Sequence, residues 1–375
     1  MLKEVESRLK DIRLTSMGLG TMGFGGFFSK DLSNNDNDVR LLEQAFDLGV
    51  NVLDTAEVYG EGAAEETIGK TEAKVRNNFF IMSKFSPENS SPIEMTKSLD
   101  NSLKRLKRDY IDVYQPHWPQ PTVNIEDTLR HLEEMKKAGK IRFSGLSNFS
   151  SEHLNKVDLE VFKSLRFFQC EFNPIENEKA NELSSFIDEK DGFLVAFSPF
   201  REGQIFQSKK FKILEEFSSQ IGYPPAQILL AWGMANNQTI VIPKVSSYKH
   251  LQDNFSSMQI NLSNSDIEYI SLLFKPNKVE IKPEDIIPSI PVKKDERKIY
   301  SNLEDAKNNI HNLNPGPMEI VREIQENNGS LYKPIKVKDK NKEGKYVLVD
   351  GRLRFWAWVI INGWKKPIPS IIIES

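Results

Sequence analysis

Short apolar runs alternate with longer amphipathic runs through most of the chain. Eight of the apolar runs have the length and the aromatic or β-branched content of strands: Leu14–Met22, Asn51–Asp54, Phe79–Phe85, Ile111–Trp118, Phe143–Asn148, Phe167–Asn173, Phe193–Pro199 and Thr239–Val245. Between them, apolar residues recur at helical spacing in segments such as Val39–Leu48, Ile93–Leu106, Ile125–Ala138 and Pro225–Met234. This alternation requires right-handed crossovers and a parallel sheet, and eight such units in about 250 residues predict an α/β fold of the (β/α)8 TIM-barrel type.

A doubly wound sheet that binds a nucleotide at its switch point is the alternative architecture. Its glycine fingerprint follows the first strand and opens a helix, and Gly18-x-Gly20-x-x-Gly23 matches that spacing. However, the polar loop Ser29–Asp38 separates these glycines from any predicted helix. The sequence therefore favours the barrel.

The pattern changes after Phe274. The polar segment 275–278 predicts a linker between a barrel over residues 1–274 and a second domain over residues 279–375. We expect this domain to be a small α+β unit, with its strands and helices at Val279–Pro283, Met318–Glu326, Ile335–Val337, Tyr346–Val349, Arg352–Ile361 and Ile368–Ile373.

Composition and charge limit the class of protein. A hydrophobic content of 39% with 27% charged residues is typical of a globular protein, and a formal net charge of −3 argues against a nucleic-acid partner. Residues 275–375 hold 19 Lys and Arg against 14 Asp and Glu, a net charge of +5, which is a weak indication of an anionic ligand.

The only cysteine, Cys170, excludes a disulfide framework within one chain, and we predict that it is buried and that the protein holds no metal. Neither a secretion signal nor a long apolar stretch is found, so we expect a cytoplasmic protein without a membrane partner.

Four side chains suited to carbonyl reduction fall at or just beyond the ends of consecutive predicted strands. They are Asp54, Tyr59, Lys84 and His117, on the face where barrel enzymes place their catalytic groups. Reducing a carbonyl needs a hydride on carbon and a proton on oxygen. Tyr59 is a poor proton donor at its reference pKa of about 10, and we expect the ammonium of Lys84, held by Asp54, to lower that pKa. His117 can donate a hydrogen bond to the carbonyl oxygen.

The segment Asn51–Gly60, which reads Asp-Thr-Ala-x-x-Tyr-Gly from residue 54 onward, is similar to the signature of the aldo-keto reductases. The resemblance covers residues 12 to 274 and implies a barrel that reduces an aldehyde or ketone with NADP as cofactor, NAD being the alternative. In that family a Ser–Asn pair and a Gln hold the nicotinamide carboxamide, and an aromatic ring on the seventh strand stacks on the nicotinamide. The matching positions are Ser147, Asn148, Gln169, Phe197 and Ser198.

The segment that follows the eighth predicted strand resembles the family's adenosine-phosphate site. Its matching residues are Lys244, Ser246, Ser247, His250, Asp253 and Asn254. The resemblance implies that Lys244 meets the 2′-phosphate of NADP beside the two serine hydroxyls and the start of the next helix. His250 replaces the usual arginine, or Lys249 takes over its role, so the strength of the NADP preference stays open.

Residues 279–375 resemble the ParB-type nucleotide-binding fold, which sulfiredoxin shares. The resemblance is carried by Ile281-Lys282-Pro283, by Pro334–Val337 and by the run Tyr346–Arg354. It implies that Gly351 and Arg354 cradle the phosphates of a nucleotide.

The resemblance of the second domain is incomplete. Arg352 stands where sulfiredoxin has its cysteine, and Trp356 stands where the ParB pattern has a further arginine. Sulfiredoxin chemistry is therefore not expected. Arg352 and Arg354 nevertheless both lie in the first turn of a predicted helix, where the helix dipole disfavours cations, and a phosphate between them would explain this placement.

The leading hypothesis is a nicotinamide-dependent carbonyl reductase with an accessory domain that binds a nucleotide or a phosphate. Two alternatives stay open: a redox sensor that binds NADPH and signals through the second domain, and a nucleotide hydrolase or phosphotransferase centred on that domain. The expected partner is a small-molecule carbonyl substrate. Aromatic residues predicted near the strand ends suggest an apolar pocket rim: Phe24, Phe27, Trp118 and Phe200.

Overall fold

The computed structural model describes residues 4–5, 12–155, 157–158, 162–288, 300, 302–313, 315–326, 329–331 and 334–373. The chain divides into two compact units between Phe274 and Lys275.

The first unit contains an eight-stranded parallel sheet in which each strand pairs with the next along the chain. The strands are β1 Leu19–Gly20, β2 Val52–Asp54, β3 Phe80–Phe85, β4 Ile111–Pro116, β5 Ile141–Ser147, β6 Leu165–Glu171, β7 Phe193–Phe197 and β8 Thr239–Ile242. The predicted barrel is confirmed. β1 is much shorter than the predicted run Leu14–Met22, because only isolated bridges flank it.

The glycines of the first strand close the barrel against the last strand. The amide of Gly18 donates to the carbonyl of Val241 at 2.9 Å, and Gly20 bridges to Lys244. A Cβ atom on Gly18 would lie 2.9 Å from Ile242 Cδ1, so only glycine fits this seam without a shift. The first two glycines of the apparent nucleotide fingerprint therefore reflect close packing between two strands, and the third, Gly23, has a left-handed backbone with φ of 97°.

Helices cover the outside of the barrel. They are α1 Asn35–Asp47, α2 Ala63–Lys70, α3 Ala73–Arg76, α4 Pro92–Leu106, α5 Ile125–Lys137, α6 Ser151–Leu154, α7 Glu178–Glu189, α8 Lys209–Ile221, α9 Pro225–Gly233, α10 Tyr248–Ser256 and α11 Asn264–Phe274. The sequence patterns located four of them to within a few residues at each end, and α1 begins four residues before its predicted start. Cys170 is fully buried and is not in a disulfide.

The second unit is a five-stranded mixed sheet in the order β10-β12-β11-β13-β9. Its strands and helices are β9 Asn277–Ile281, β10 Ile286–Ile287, α12 Leu303–Lys307, α13 Pro317–Glu326, β11 Ile335–Lys338, β12 Tyr346–Asp350, α14 Arg352–Asn362 and β13 Ile368–Ile373. Phe355 and Trp356 of α14 are buried against the sheet residues Ile335 and Leu348. The last two residues of the predicted linker already belong to β9, which pairs with β13.

Candidate active site

The inner residues of neighbouring strands change from apolar to polar toward the carboxyl ends of the strands. Val52 is followed two residues later by Asp54 on β2, and Met82 is followed by Lys84 on β3. Side chains two residues apart in a strand point to the same face. The two polar groups therefore lie directly above an apolar cluster inside the barrel, which also contains Phe167.

A buried ion pair forms the centre of the site. Lys84 Nζ lies 2.7 Å from Asp54 Oδ1, and both residues are almost inaccessible, at 1% and 3% exposure. Lys84 also donates to the carbonyl oxygen of Thr55 at 2.8 Å and to the hydroxyl of Tyr59 at 3.5 Å. Burial acts to lower the pKa of Lys84, but the charges of Asp54 and Tyr59 and their hydrogen bonds outweigh it, so this pKa lies above its ordinary value. Lys84 is therefore charged at neutral pH.

The phenol of Tyr59 is held beside this ammonium, which lies 5.1 Å from the centre of its ring. Burial raises the pKa of Tyr59, the charge of Lys84 lowers it and the charge of Asp54 raises it again. The net direction is upward, so the expectation that Lys84 brings this pKa below its reference value is wrong here. The charge of Lys84 does lower the pKa of Tyr59, as expected, but burial raises this pKa by more. Tyr59 keeps its proton at neutral pH.

His117 follows β4 and faces the same space. Its ring meets the ring of Tyr59 edge-on at 5.6 Å and stacks on Trp118 with the ring centres 3.7 Å apart. Burial, together with the charge of Lys84, lowers the pKa of His117 to about 2. Its Nδ1 is buried without a hydrogen-bond partner in the described part of the chain. A neutral imidazole has one N–H group, which suits it to donate to a carbonyl oxygen without itself supplying the proton.

Gln169 lies beneath the ion pair. Its amide nitrogen donates to Asp54 Oδ1 at 3.0 Å, and its amide oxygen accepts from the side chain of Gln115. Both glutamines are buried. The sequence analysis predicted that Gln169 holds the nicotinamide carboxamide, and it missed Gln115. Gln115 precedes His117 by two residues, and side chains at this spacing in a strand point to the same face, so the spacing could have identified it.

The Ser–Asn pair lies at the end of β5, next to His117. Asn148 adopts a left-handed conformation, with φ of 66°, and donates to the carbonyl oxygen of His117 at 3.0 Å and to Ser147 Oγ at 3.2 Å. Phe197 ends β7, and it and Ser198 are half-buried. These four residues all lie at carboxyl ends of the strands, where the sequence placed them.

Lys244 follows β8 and remains exposed. Its ammonium lies 4.0 Å from the centre of the Phe27 ring. The pKa of Lys244 lies below its ordinary value, because burial of part of the side chain lowers it by more than the carboxylate of Asp38 raises it. Asp38 is buried and accepts a hydrogen bond from the amide of Gly25 at 3.2 Å. The sequence analysis did not predict this carboxylate beside Lys244.

The start of α10 lies just beyond Lys244. Ser247 caps this helix by accepting from the amide of His250 at 3.3 Å, and Ser246 Oγ lies 3.4 Å from His250 Nδ1. One turn further, Asp253 is exposed and Asn254 is buried. The predicted adenosine-phosphate residues thus form one cluster of a cation, two hydroxyls and a helix N-terminus.

The four aromatic residues predicted around the pocket differ in how exposed they are. Trp118 and Phe27 are 45% and 50% exposed, which suits a pocket rim. Phe24 is 2% exposed and belongs to the core, so its assignment to the rim is wrong. Phe200 packs against Phe206 with the ring centres 5.2 Å apart.

In the second unit, the predicted phosphate residues lie at the turn from β12 into α14. Gly351 has φ of 87° and precedes the helix, where no side chain caps the first turn. Arg354 donates to the carbonyl of Pro334 at 3.0 Å and to Asp350 at 3.2 Å, and Arg352 is half-buried.

Comparison with known proteins assigns the first unit. The model of the aldo/keto reductase family matches residues 16–273. Glyoxal reductase of Bacillus subtilis (strain 168) is 30% identical over 285 residues, which is 74% of this chain and 98% of the relative. Methylglyoxal reductase YeaE of Escherichia coli (strain K12) is 28% identical over 265 residues, 68% of this chain and 90% of the relative. An aldo-keto reductase from Klebsiella pneumoniae, solved in complex with NADPH, is 25% identical with a TM-score of 0.66, covering 74% of this chain and 97% of that one.

The chain therefore belongs to the aldo/keto reductase family and is an enzyme of that class. The match ends at residue 273, so the second unit lies outside it.

The described residues contain no group of three or more His, Cys, Asp and Glu residues placed to hold a metal ion. In the same residues, no helix combines the length and apolar character needed to cross a membrane.

Proposed function

We propose that this protein reduces a small aldehyde or ketone with NADPH, and that Tyr59 gives the proton to the carbonyl oxygen. The observation that carries the proposal is the contact between the half-buried Tyr59 hydroxyl and the buried Lys84, which is itself paired with Asp54. Two relatives are named for glyoxal and methylglyoxal, so we propose a small dicarbonyl as the substrate.

The residues around the barrel mouth fit a nicotinamide dinucleotide phosphate. Lys244, the hydroxyls of Ser246 and Ser247 and the start of α10 together suit a phosphate group, because cations and helix N-termini both favour anions. Ser147 and Asn148 supply polar groups next to His117, and Phe197 supplies a ring face. NADPH, when bound, supplies the hydride.

The proton step rests on the residues of this chain. As hydride reaches the carbonyl carbon, the oxygen becomes an alkoxide, which is a much stronger base than a phenolate. Transfer from Tyr59 is therefore favourable even though burial raises its pKa. The ammonium of Lys84 stabilises the phenolate that remains, and Asp54 keeps that ammonium charged and in place. His117 donates its N–H to the same oxygen and orients it.

Replacing the phenol tests this assignment. Tyr59→Phe should lower kcat for methylglyoxal reduction by roughly 10²–10⁴-fold, the usual value of general acid catalysis, while NADPH binding stays within about two-fold. Tyr223→Phe, at an exposed tyrosine, is the control and should be fully active. Because the pKa of Tyr59 is raised, wild-type kcat/KM should not fall between about pH 6 and 9. A Tyr59→Phe enzyme with more than about a tenth of wild-type turnover would contradict the proposed mechanism.

The preference for NADPH over NADH tests the proposal that Lys244 binds the 2′-phosphate. Lys244→Ala should remove most of the preference for NADPH over NADH, because a charge-assisted hydrogen bond contributes roughly 1.5–3 kcal/mol. Fluorescence titration with both cofactors measures this, and Lys137→Ala, at an exposed lysine of α5, is the control. If wild-type protein binds both cofactors equally, the assignment of Lys244 is wrong.

We further propose that the second unit binds a nucleotide or a phosphate at the turn between β12 and α14. The supporting observation is that Arg352 and Arg354 lie in the first turn of a helix that no side chain caps, where the dipole favours anions.

Calorimetric titration of the full-length protein with nucleotide triphosphates tests this second proposal. Arg352→Ala should weaken the binding at least about ten-fold, the scale of one lost charged hydrogen bond, and should leave methylglyoxal turnover unchanged. Absence of binding by the wild type would refute it.

A further inference from the structure

Glu57 lies between Asp54 and Tyr59 in the chain and contacts the strand that carries Lys84. It stands two residues before Tyr59, and its backbone amide donates to the carbonyl oxygen of Lys84 at 3.1 Å. The loop that carries the phenol is thus hydrogen-bonded to the strand that carries the ammonium. The Asp-Thr-Ala-x-x-Tyr-Gly motif leaves the position of Glu57 open, and the proposed mechanism gives its side chain no role.

The carboxylate of Glu57 accepts hydrogen bonds from three different groups. Its Oε1 accepts from the backbone amide of Ser86 at 2.6 Å and from the side chain of Asn89 at 2.8 Å, and its Oε2 accepts from the hydroxyl of Ser98. Ser86 follows Lys84 by two residues, whereas Ser98 belongs to α4. A half-buried carboxylate with three donors is held more firmly than a surface carboxylate, because its lone pairs are satisfied by groups on rigid elements.

The Ser98 hydroxyl continues this connection into the barrel wall. It accepts from the hydroxyl of Tyr114 at 3.2 Å, and Ser98 and Tyr114 are both buried. Glu57 is therefore connected to β3, to α4 and, through Ser98, to β4, which also leads to His117.

The backbone beyond Tyr59 shows why such a restraint matters. Gly60, Glu61 and Gly62 are all left-handed, with φ values of 56°, 55° and 88°. This conformation is unfavourable for a residue with a side chain, such as Glu61, and it persists only where the surroundings impose it. A loop of this kind needs a fixed point on the other side of Tyr59, and Glu57 is placed there.

We propose that Glu57 is a positioning residue, whose carboxylate holds the Tyr59 loop against the segment after Lys84 and so sets the distance between phenol and ammonium. The inference rests on the proposed role of Tyr59. It adds that the hydrogen bonds of Glu57, and not its charge, are what catalysis requires.

The test compares Glu57→Ala and Glu57→Gln with Glu133→Ala in the full-length protein. A glutamine can keep all three contacts, since its oxygen accepts from Ser86 and Asn89 and its amide donates to Ser98. Glu133 is the matched control: it is also half-buried and accepts from the amide and hydroxyl of Ser164, both at 2.6 Å, on another part of the barrel. The measurements are methylglyoxal turnover, NADPH affinity by fluorescence, and the kinetic isotope effect with NADPH deuterated at the transferred hydrogen.

Glu57→Ala should lower kcat by about 10–100-fold with NADPH affinity within about two-fold, because a displaced catalytic group costs rate and not cofactor binding. The isotope effect on kcat should rise, since the chemical step becomes slower than product release. Glu57→Gln should stay within about three-fold of wild type, and Glu133→Ala should keep both kcat and the isotope effect. If Glu57→Ala does not fold, Asn89→Ala should give a smaller change in the same direction.

Three results would overturn the proposal: unchanged kcat and isotope effect in Glu57→Ala, an equal loss in Glu133→Ala, or an equal loss in Glu57→Gln. Where Glu57→Ala is unfolded, an unchanged Asn89→Ala enzyme would overturn it too. Any of these, in a protein that Tyr59→Phe inactivates, refutes only the role of Glu57. A fully active Tyr59→Phe enzyme would instead refute the underlying mechanism.

Discussion

The buried ion pair between Lys84 and Asp54 is the interaction on which the rest of the barrel site depends. Burying two charges is costly, and removing one partner of such a pair typically costs about 3–5 kcal/mol because the other charge is left uncompensated. The pair places a positive charge within 3.5 Å of the Tyr59 hydroxyl. The same charge adds to burial, the larger cause, in keeping His117 neutral. Gln169, bonded to Asp54 from below, fixes the carboxylate in turn. Burial and the charge of Lys84 together therefore set the protonation states of Tyr59 and His117, and burial is the larger effect on both.

Much of the barrel could be predicted from the sequence because its signals are local and periodic. Short apolar runs marked the strands, and the polar residues at the ends of those runs marked the positions of Asp54 and Lys84. The pKa of Tyr59 could not be predicted, since its dominant cause is burial by residues distant in the chain. The partners of Gln169 were missed for the same reason, because Gln115 and Asp54 reach it from two other strands. The length of β1 was overestimated, because the apolar run Leu14–Met22 forms mostly isolated bridges outside Leu19–Gly20.

The second unit shows where periodicity stops being informative. Strands β11, β12 and β13 and helices α13 and α14 were predicted to within one residue at each end, as each has several residues in pattern, whereas β9 lies two residues earlier than predicted. The short elements β10 and α12 were missed, since two and five residues carry too little pattern. The strand order, with β11 between β12 and β13, is set by pairing between distant segments and by the burial of Phe355 and Trp356. No local signal encodes it.

The most direct test of the account is a double-mutant cycle on Asp54 and Lys84, read as the rate of hydride transfer in a single turnover with NADPH and methylglyoxal. Asp54→Asn and Lys84→Met should each slow the step, and the double variant should be no slower than the worse single variant. The reason is that Asp54 acts on Tyr59 only through Lys84, so the coupling energy should be on the order of 1–3 kcal/mol. Melting curves of all variants control for loss of fold. Losses that multiply, so that the coupling is close to zero, would contradict the claim that the ion pair works as one unit.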